Sequence, residues 1–406
     1  MLKTFTCMAL SGLMTTGLLA TEKTVKKEAP KAESFKEAFT KGTFKTDLVL
    51  SYEHSDLEGG ASRADALSLR VRPSFRTAEF AGVSAFVQGH ANLNLVDQFS
   101  HGRDSGDSSH DVIADAEGAR IHQAYLDFSL IPDTVVRIGR QEIIMGDARF
   151  VGNVGWRQNG QSFDAIKVTN KSVDKLTLTA FITNAVQDIH LEENDLEYFA
   201  GFDATYAASK KLNISTFAYA LEDNSGTRDN YTLGARANGK VGIVKYDVSA
   251  AAQEDLAKGT GHNGQMFRSF LGLDTKPVNF GIGYEQYSGG FDTLFGTAHK
   301  FLGWSDQFLN TKDFADGLED IYFQVGSKVA KTTLLARYHI FNSAEGSNGD
   351  YGSEVELLAK RKFQVTEKHA VTGILKAAFY QADSSNNTGK ATNDEAVYWA
   401  RLMYSF

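Results

Sequence analysis

The chain has 406 residues, with 37 Gly, 28 Phe and 15 Tyr against 4 Pro and 1 Cys, and a formal net charge of −8. A single cysteine excludes a disulfide framework or a cysteine-rich zinc site, and the acidic balance offers no basic footprint for nucleic acid. Outside the N-terminus nothing supplies the ~20 consecutive apolar residues of a membrane-spanning helix, yet the chain is too aromatic to be disordered. A large all-β protein remains.

The first segment reads as an export leader. Lys3 precedes an apolar-to-small run from Phe5 to Leu19, which ends at Ala20 before Thr21-Glu22-Lys23. This order of basic, apolar and small residues is that of a secretory signal, expected over residues 1–20. Cys7 lies inside its apolar run. Residues 21–41 follow as a segment rich in Lys, Glu and Ala, expected on the periplasmic side. Its charge favours a solvated tail. Phe35 and Phe39, four apart and flanked by Ala32 and Ala38, also suit a short helix at a barrel mouth.

From Gly42 to Phe406 the pattern has period two. Phe44, Thr46, Leu48, Leu50 and Tyr52 share one face of the first segment; Leu67, Leu69, Val71 and Phe75 oppose Ser68, Arg70, Arg72, Ser74 and Arg76 in the second. Leu176, Leu178, Ala180 and Ile182 alternate with Thr177, Thr179, Phe181 and Thr183. About 18 such segments recur, each near the ~10 residues that a tilted strand needs to cross a bilayer. Their connections alternate between short and long. Short ones include Ile131–Thr134, Lys171–Lys175, Asn238–Lys240 and Lys328–Lys331; long ones include Asp97–Gly118, Met145–Gly160 and Ser288–Gly317. Short periplasmic turns, long external loops and an even strand number are the plan of an antiparallel transmembrane β-barrel in the outer membrane. Hydrocarbon demands its closure, since an open edge would leave backbone groups unpaired. Pro132 and Pro277 fall in turns, while Pro73 falls inside a strand and is expected to mark a bulge or strand end.

Two stretches carry a family likeness. Arg137-Ile138-Gly139-Arg140-Gln141 leads through Gly146-Asp147-Ala148-Arg149 to Trp156-Arg157-Gln158 and Phe163-Asp164-Ala165-Ile166, and a later loop reads His299-Lys300-Phe301-Leu302-Gly303-Trp304-Ser305-Asp306-Gln307-Phe308-Leu309. Both resemble segments of the alginate-export family of bacterial outer-membrane barrels. The resemblance implies an 18-stranded monomeric barrel conducting solutes, an anionic polyuronate in one branch. The net acidity of this chain departs from the electropositive pore of that branch. The last strand puts Tyr398, Ala400, Leu402, Tyr404 and the terminal Phe406 on one face. It resembles the C-terminal strand by which such barrels are handed to the barrel-assembly machinery.

With the apolar face of each strand assigned to outer-membrane lipid, the other face lists the pore-lining candidates. These are Arg70, Arg72, Arg76, Arg137, Arg268 and Arg337, joined by Arg140, Arg149 and Arg157 from the family motif; Arg401 also opposes the apolar face. Strict alternation puts Arg140 with Val136 and Ile138, so a bulge or a rim position is needed to bring it inside. Asp47, Asp203, Asp274, Glu285, Glu354 and Glu356 point inward too. Arginine suits carboxylate guests because its planar fork binds them bidentately; alternatively the arginines pair with these acids and stiffen the wall. His122, His299 and His339 are conceivable bases without an evident serine and acid in register, and no catalytic motif occurs, so no enzyme and no cofactor are expected. Asp104, Asp107, Asp111 and Asp115 fit no defined calcium loop and read as a solvated acidic loop rather than a metal site. The expected function is an outer-membrane porin for small or anionic solutes, with alginate-like uronates as candidates. The alternative is a structural or adhesive barrel plugged by its own loops, for which the aromatic-rich loop Ser288–Gly317 is suited to fold inward.

Overall fold

Residues with alternating apolar and polar side chains can bury one face and offer the other to lipid only if they lie in extended strands. The computed structural model shows that arrangement, and describes residues 30–102, 105–256, 263–345, 349–367, 369–386 and 388–406. The expected leader and Asp104 lie outside the described residues. Among the described residues, eighteen strands make the barrel. The first six are β1 (Thr43–Leu57), β2 (Ala64–Arg76), β3 (Val83–Gln98), β4 (Gly118–Ile131), β5 (Thr134–Gln141) and β6 (Ser162–Asn170). Next come β7 (Leu176–Gln187), β8 (Glu193–Ser209), β9 (Leu212–Asp223), β10 (Asp229–Val241), β11 (Val244–Asp255) and β12 (Asn263–Leu273). The last are β13 (Val278–Tyr287), β14 (Leu318–Val329), β15 (Thr332–Asn342), β16 (Asp350–Gln364), β17 (Ala370–Ala382) and β18 (Glu395–Ser405). Each pairs antiparallel with the next, and β1 pairs with β18 from Asp47 opposite Ser405 to Leu57 opposite Glu395. The ring is closed.

The expected long and short connections fall on opposite rims, with ends shifted by a few residues. The turn expected at Asn238–Lys240 is at Gly242–Ile243 instead, because β10 runs on to Val241. Gly242 there takes a φ of +59°, a left-handed conformation that glycine adopts without steric cost. Pro73 marks neither a bulge nor a strand end. The β2–β3 register is the same on either side of it, and only the pairs at Arg72 and Pro73 are missing. An N–H is lost there without a shift.

Residues Phe35–Thr40 form helix α1, in a segment whose charge made a solvated tail the favoured expectation. Ser34 caps it by accepting from the Glu37 N–H at 3.2 Å. The preceding Lys31 and Ala32 pair in parallel with Glu79 and Phe80 of the β2–β3 turn, and the Ala78 N–H donates to the Ala38 carbonyl at 2.8 Å. These backbone bonds hold α1 against the wall at the short-turn rim.

On β18, Val397, Trp399 and Arg401 are buried while Tyr398, Leu402 and the following Phe406 are exposed. The exposed set is the lipid belt. The main hydrophobic cluster lies inside the barrel, where two of the long loops, L3 (142–161) and L7 (288–317), pack against inward-facing aromatics of the wall.

The loop-filled lumen as the candidate functional site

L3 and L7 enter the lumen together because their backbones are joined. The Gly152 N–H donates to the Phe295 carbonyl at 2.9 Å, Phe295 to Phe150 at 3.0 Å, and Thr297 to Ala148 at 2.9 Å. Gly152 is required there, since a Cβ would lie 2.1 Å from the Thr297 hydroxyl oxygen. L3 then meets two different walls.

Its first half meets an aromatic wall. The Phe150 ring lies 5.3 Å from Phe217 and 5.5 Å from Tyr219 of β9, and 6.1 Å from Phe291 of L7. Phe295 of L7 contacts Phe199 at 5.3 Å and Phe163 at 6.2 Å. Further along L7, Phe308 sits 4.3 Å from Phe341 and 5.2 Å from Phe314. Ring pairs at these separations are attractive beyond their burial.

Its second half meets arginines. Arg401 of β18 donates to the Trp156 carbonyl at 2.6 Å, Arg70 of β2 to Arg157 at 3.4 Å, and Arg72 of β2 to Gln158 at 3.2 Å. Arg120 of β4 donates to Gly160. Asn159, between them, donates to the Ala116 carbonyl at 2.8 Å and accepts from His90 Nε2, whose Nδ1 accepts from Arg72. Every residue from 156 to 160 is thus held, four of the five through a backbone carbonyl gripped by a wall guanidinium. Arg157 itself reaches Glu53 of β1 at 2.9 Å and Asp306 of L7 at 2.9 Å. Burial would lower its pKa, but Glu53, Asp115 and Asp306 together outweigh it and raise it above the ordinary value.

The remaining candidates are tied to carboxylates. Arg149 and Arg268 flank Glu285 at 3.4 and 3.0 Å, and Arg268 also donates to Asp147 at 2.8 Å. Burial pushes Asp147 up, yet Arg268, Arg236 and Lys300 hold it well below the usual carboxylate range. Arg337 donates to Glu356 at 2.9 Å. Arg137 binds Asp127 bidentately at 2.7 and 2.9 Å, and Arg76 joins it at 3.0 Å. Arg140 is not in the pore. Its register neighbours are Ala124 and Asp164, on the face of Leu126, Ile138 and Ile166, and it forms a rim ion pair with Asp164 at 2.6 Å and Glu193 at 3.1 Å. No bulge interrupts β5 to turn it inward.

The histidines do have acid partners, contrary to expectation. His122 lies 2.8 Å from Glu142, His299 2.6 Å from Asp306, and His339 2.9 Å from Asp320. Among the described residues none of the three bonds to a serine. The acids of the third-strand loop do not converge. Asp107 accepts from Ser109, Asp111 from the Leu57 N–H and Asp115 from the Gln158 N–H.

Two features escaped the sequence reading. Arg120 was missed because a bulge between Gln88 and Gly89 opposite β4 reverses its inward phase between His122 and Gln123. The second is a cage at the junction of both loops with the wall. All three tryptophans of the chain, Trp156 of L3, Trp304 of L7 and Trp399 of β18, surround Lys376 of β17, whose Nζ is 4.2, 3.9 and 4.5 Å from their centroids. Lys376 also bonds to His299 Nε2, while the His299 ring stacks on Trp156 at 5.3 Å. Burial lowers His299 to about 4, so it is neutral at pH 7, with Nδ1 donating to Asp306 and Nε2 accepting from Lys376.

A closed eighteen-strand barrel with an apolar outer belt and two long loops drawn into its lumen is an outer-membrane channel. Comparison places it further. A family model described as alginate export matches residues 56–308, and the chain belongs to that family. Among solved structures it is similar to three Pseudomonas aeruginosa outer-membrane proteins. For OccK9 (OpdG) the TM-score is 0.73 at 13% identity, with 91% of this chain and 99% of that chain covered. For OpdK it is 0.71 at 15%, covering 90% and 98%. For OccK11 (OpdR) it is 0.70 at 14%, covering 93% and 98%. At these identities the likeness is one of fold. No curated protein matches the chain.

Proposed function

We propose that the channel admits small organic anions, carboxylates foremost, and that Arg401, Arg70 and Arg120 select them. One observation carries this reading. Arg70, Arg120 and Arg401 have no carboxylate within ion-pair range among the described residues, and Arg70 Nε, Arg120 Nε and Arg401 Nη2 are buried without an acceptor. The carbonyls of L3 that these arginines grip are neutral, and a carboxylate is the stronger partner for a guanidinium. The other arginines of the expected track, Arg140 apart, are Arg72, Arg76, Arg137, Arg149, Arg157, Arg268 and Arg337, and acids already oppose them. The selecting surface is therefore the side of the lumen formed by β18, β2 and β4. Uronate-like saccharides are candidate solutes through the family; a related barrel, OpdK, was crystallised with vanillate.

Reversal potential in a salt gradient across a planar bilayer tests the reading. The wild type should prefer anions, and a double Arg70→Gln, Arg401→Gln variant should move toward cation preference because fixed charge in a narrow pore is weakly screened. A cation-selective wild type overturns it. A silent barrel would favour the second reading, a loop-plugged structural or adhesive barrel, to which the dense packing of L3 and L7 lends support.

The rest of the proposal follows from the barrel plan. Residues 1–20 are removed on export, the mature chain acts as a monomer without catalytic activity or cofactor, and β18 with Phe406 engages the barrel-assembly machinery. With the short turns in the periplasm, tags at Gly106 and Asn224 are reached from outside intact cells and tags at Asp174 and Lys210 are not. Labelling in the reverse pattern inverts the orientation.

A further inference from the structure

Helix α1 is not over the pore mouth but outside the wall. Phe39 stacks on Phe75 of β2, with centroids 6.4 Å apart and planes 15° from parallel. Phe75 belongs to the lipid-facing side of β2 and lies opposite Phe44 of β1 in the ladder. Phe44 is 60% exposed, Phe39 50% and Phe35, packed edge-on against Phe39 at 5.2 Å, 71%. The aromatic face of α1 is therefore continuous with the lipid belt and extends it past the end of the strands. Charge points the same way: residues 21–41 carry six Lys (23, 26, 27, 31, 36 and 41) against four Glu (22, 28, 33 and 37), with Lys41 paired to Glu37 at 2.8 Å.

We propose that α1 is an interfacial anchor that seats Phe35 and Phe39 in the periplasmic leaflet of the outer membrane, where Lys36 and the preceding Lys31 meet anionic phospholipid headgroups. Two exposed phenylalanines on a helix bonded to the wall through Ala38 and Ala78 have no other apolar surface among the described residues to cover them. Aromatic and apolar side chains on one face and lysines beside it are what an in-plane helix needs to lie at the headgroup–acyl boundary. Attraction to anionic lipid adds to that apolar insertion. The Ala38–Ala78 bond and the pairing of Lys31 and Ala32 with the β2–β3 turn set the depth, so the first turn of the barrel is pinned to the membrane surface.

Tryptophan reporters on the full-length protein test this. The native tryptophans face the lumen, so quenching by lipid reports the introduced ring. Phe35→Trp, Phe39→Trp and, on the helix flank, Lys36→Trp are reconstituted in phosphatidylcholine–phosphatidylglycerol vesicles with and without bromine on the acyl chains. Emission from Phe35→Trp and Phe39→Trp should be lost on bromination and that from Lys36→Trp largely kept. Replacing phosphatidylglycerol by phosphatidylcholine should weaken the loss. If the Phe39→Trp substitution disturbs the stack on Phe75, the more exposed Phe35→Trp still reports. Equal quenching at all three positions, or none at 35 and 39, overturns the proposal and makes solvent or a periplasmic protein the occupant.

Discussion

The two walls that hold L3 work by different physics. At Phe150 the loop is buried among Phe217, Tyr219 and Phe291, a contact that has no direction and no rival ligand. At residues 156–160 it is held by guanidiniums on carbonyls, a set of directional bonds that a better acceptor can take over. The first attachment is permanent and the second exchangeable. On the proposed reading, L3 is fixed at its middle by Phe150 and yields to an anion along 156–160, the stretch that leads into β6.

Breaking the permanent side should cost most. Phe150→Ala should lower barrel stability by about 3–5 kcal/mol, the usual cost of deleting a buried aromatic, read as a fall in unfolding midpoint in denaturant, and should raise open-channel conductance. If Phe150→Ala conducts and unfolds like the wild type, the aromatic wall does not fix L3. Glu53→Gln comes next. It removes one of the carboxylates bonded to buried Arg157 and should cost roughly 2–3 kcal/mol, with larger current fluctuations because the 156–160 strip loosens while Phe150 stays packed. Quiet, unaltered currents would show that the 156–160 strip needs no ionic tether.

The smallest expected effect is one of pH. His299 in L7 is held neutral by burial and lowered to about 4, whereas a released loop would protonate near the ordinary value. Released L7 therefore takes up a proton that packed L7 refuses as pH falls below about 6.5, and packing is progressively weakened down to about pH 4. Above that range no such loss applies. In the packed loop the second proton would have to enter at Nε2, the nitrogen that already accepts from Lys376. Conductance should rise from pH 7 to pH 4, and His299→Gln should flatten that rise; an equal rise in the variant would move the effect to other groups.

Much of the barrel was legible because lipid and loop geometry impose simple rules. Leu67, Leu69 and Val71 against Arg70 and Arg72 define a face without any knowledge of partners, and the aromatic content of 288–317 announced a loop that leaves water. What the pattern hid was local phase. A single bulge hid Arg120, and an unbulged β5 kept Arg140 outside. Register alone could not say that Arg70 and Arg401 would meet carbonyls of a loop 87 and 245 residues away along the chain, while Arg137 and Arg337 met carboxylates. Strand alternation encodes the side on which a residue lies. It carries no information about which loop will come to meet it.

The β1–β18 ladder also sets a schedule for manufacture. Its eleven register pairs join the first strand of the barrel to the last, so a chain that has not yet reached β18 carries two raw edges. Such edges invite pairing with other chains. The ring can be sealed only once β18 has been made, and until then the growing molecule depends on being kept apart from its own copies.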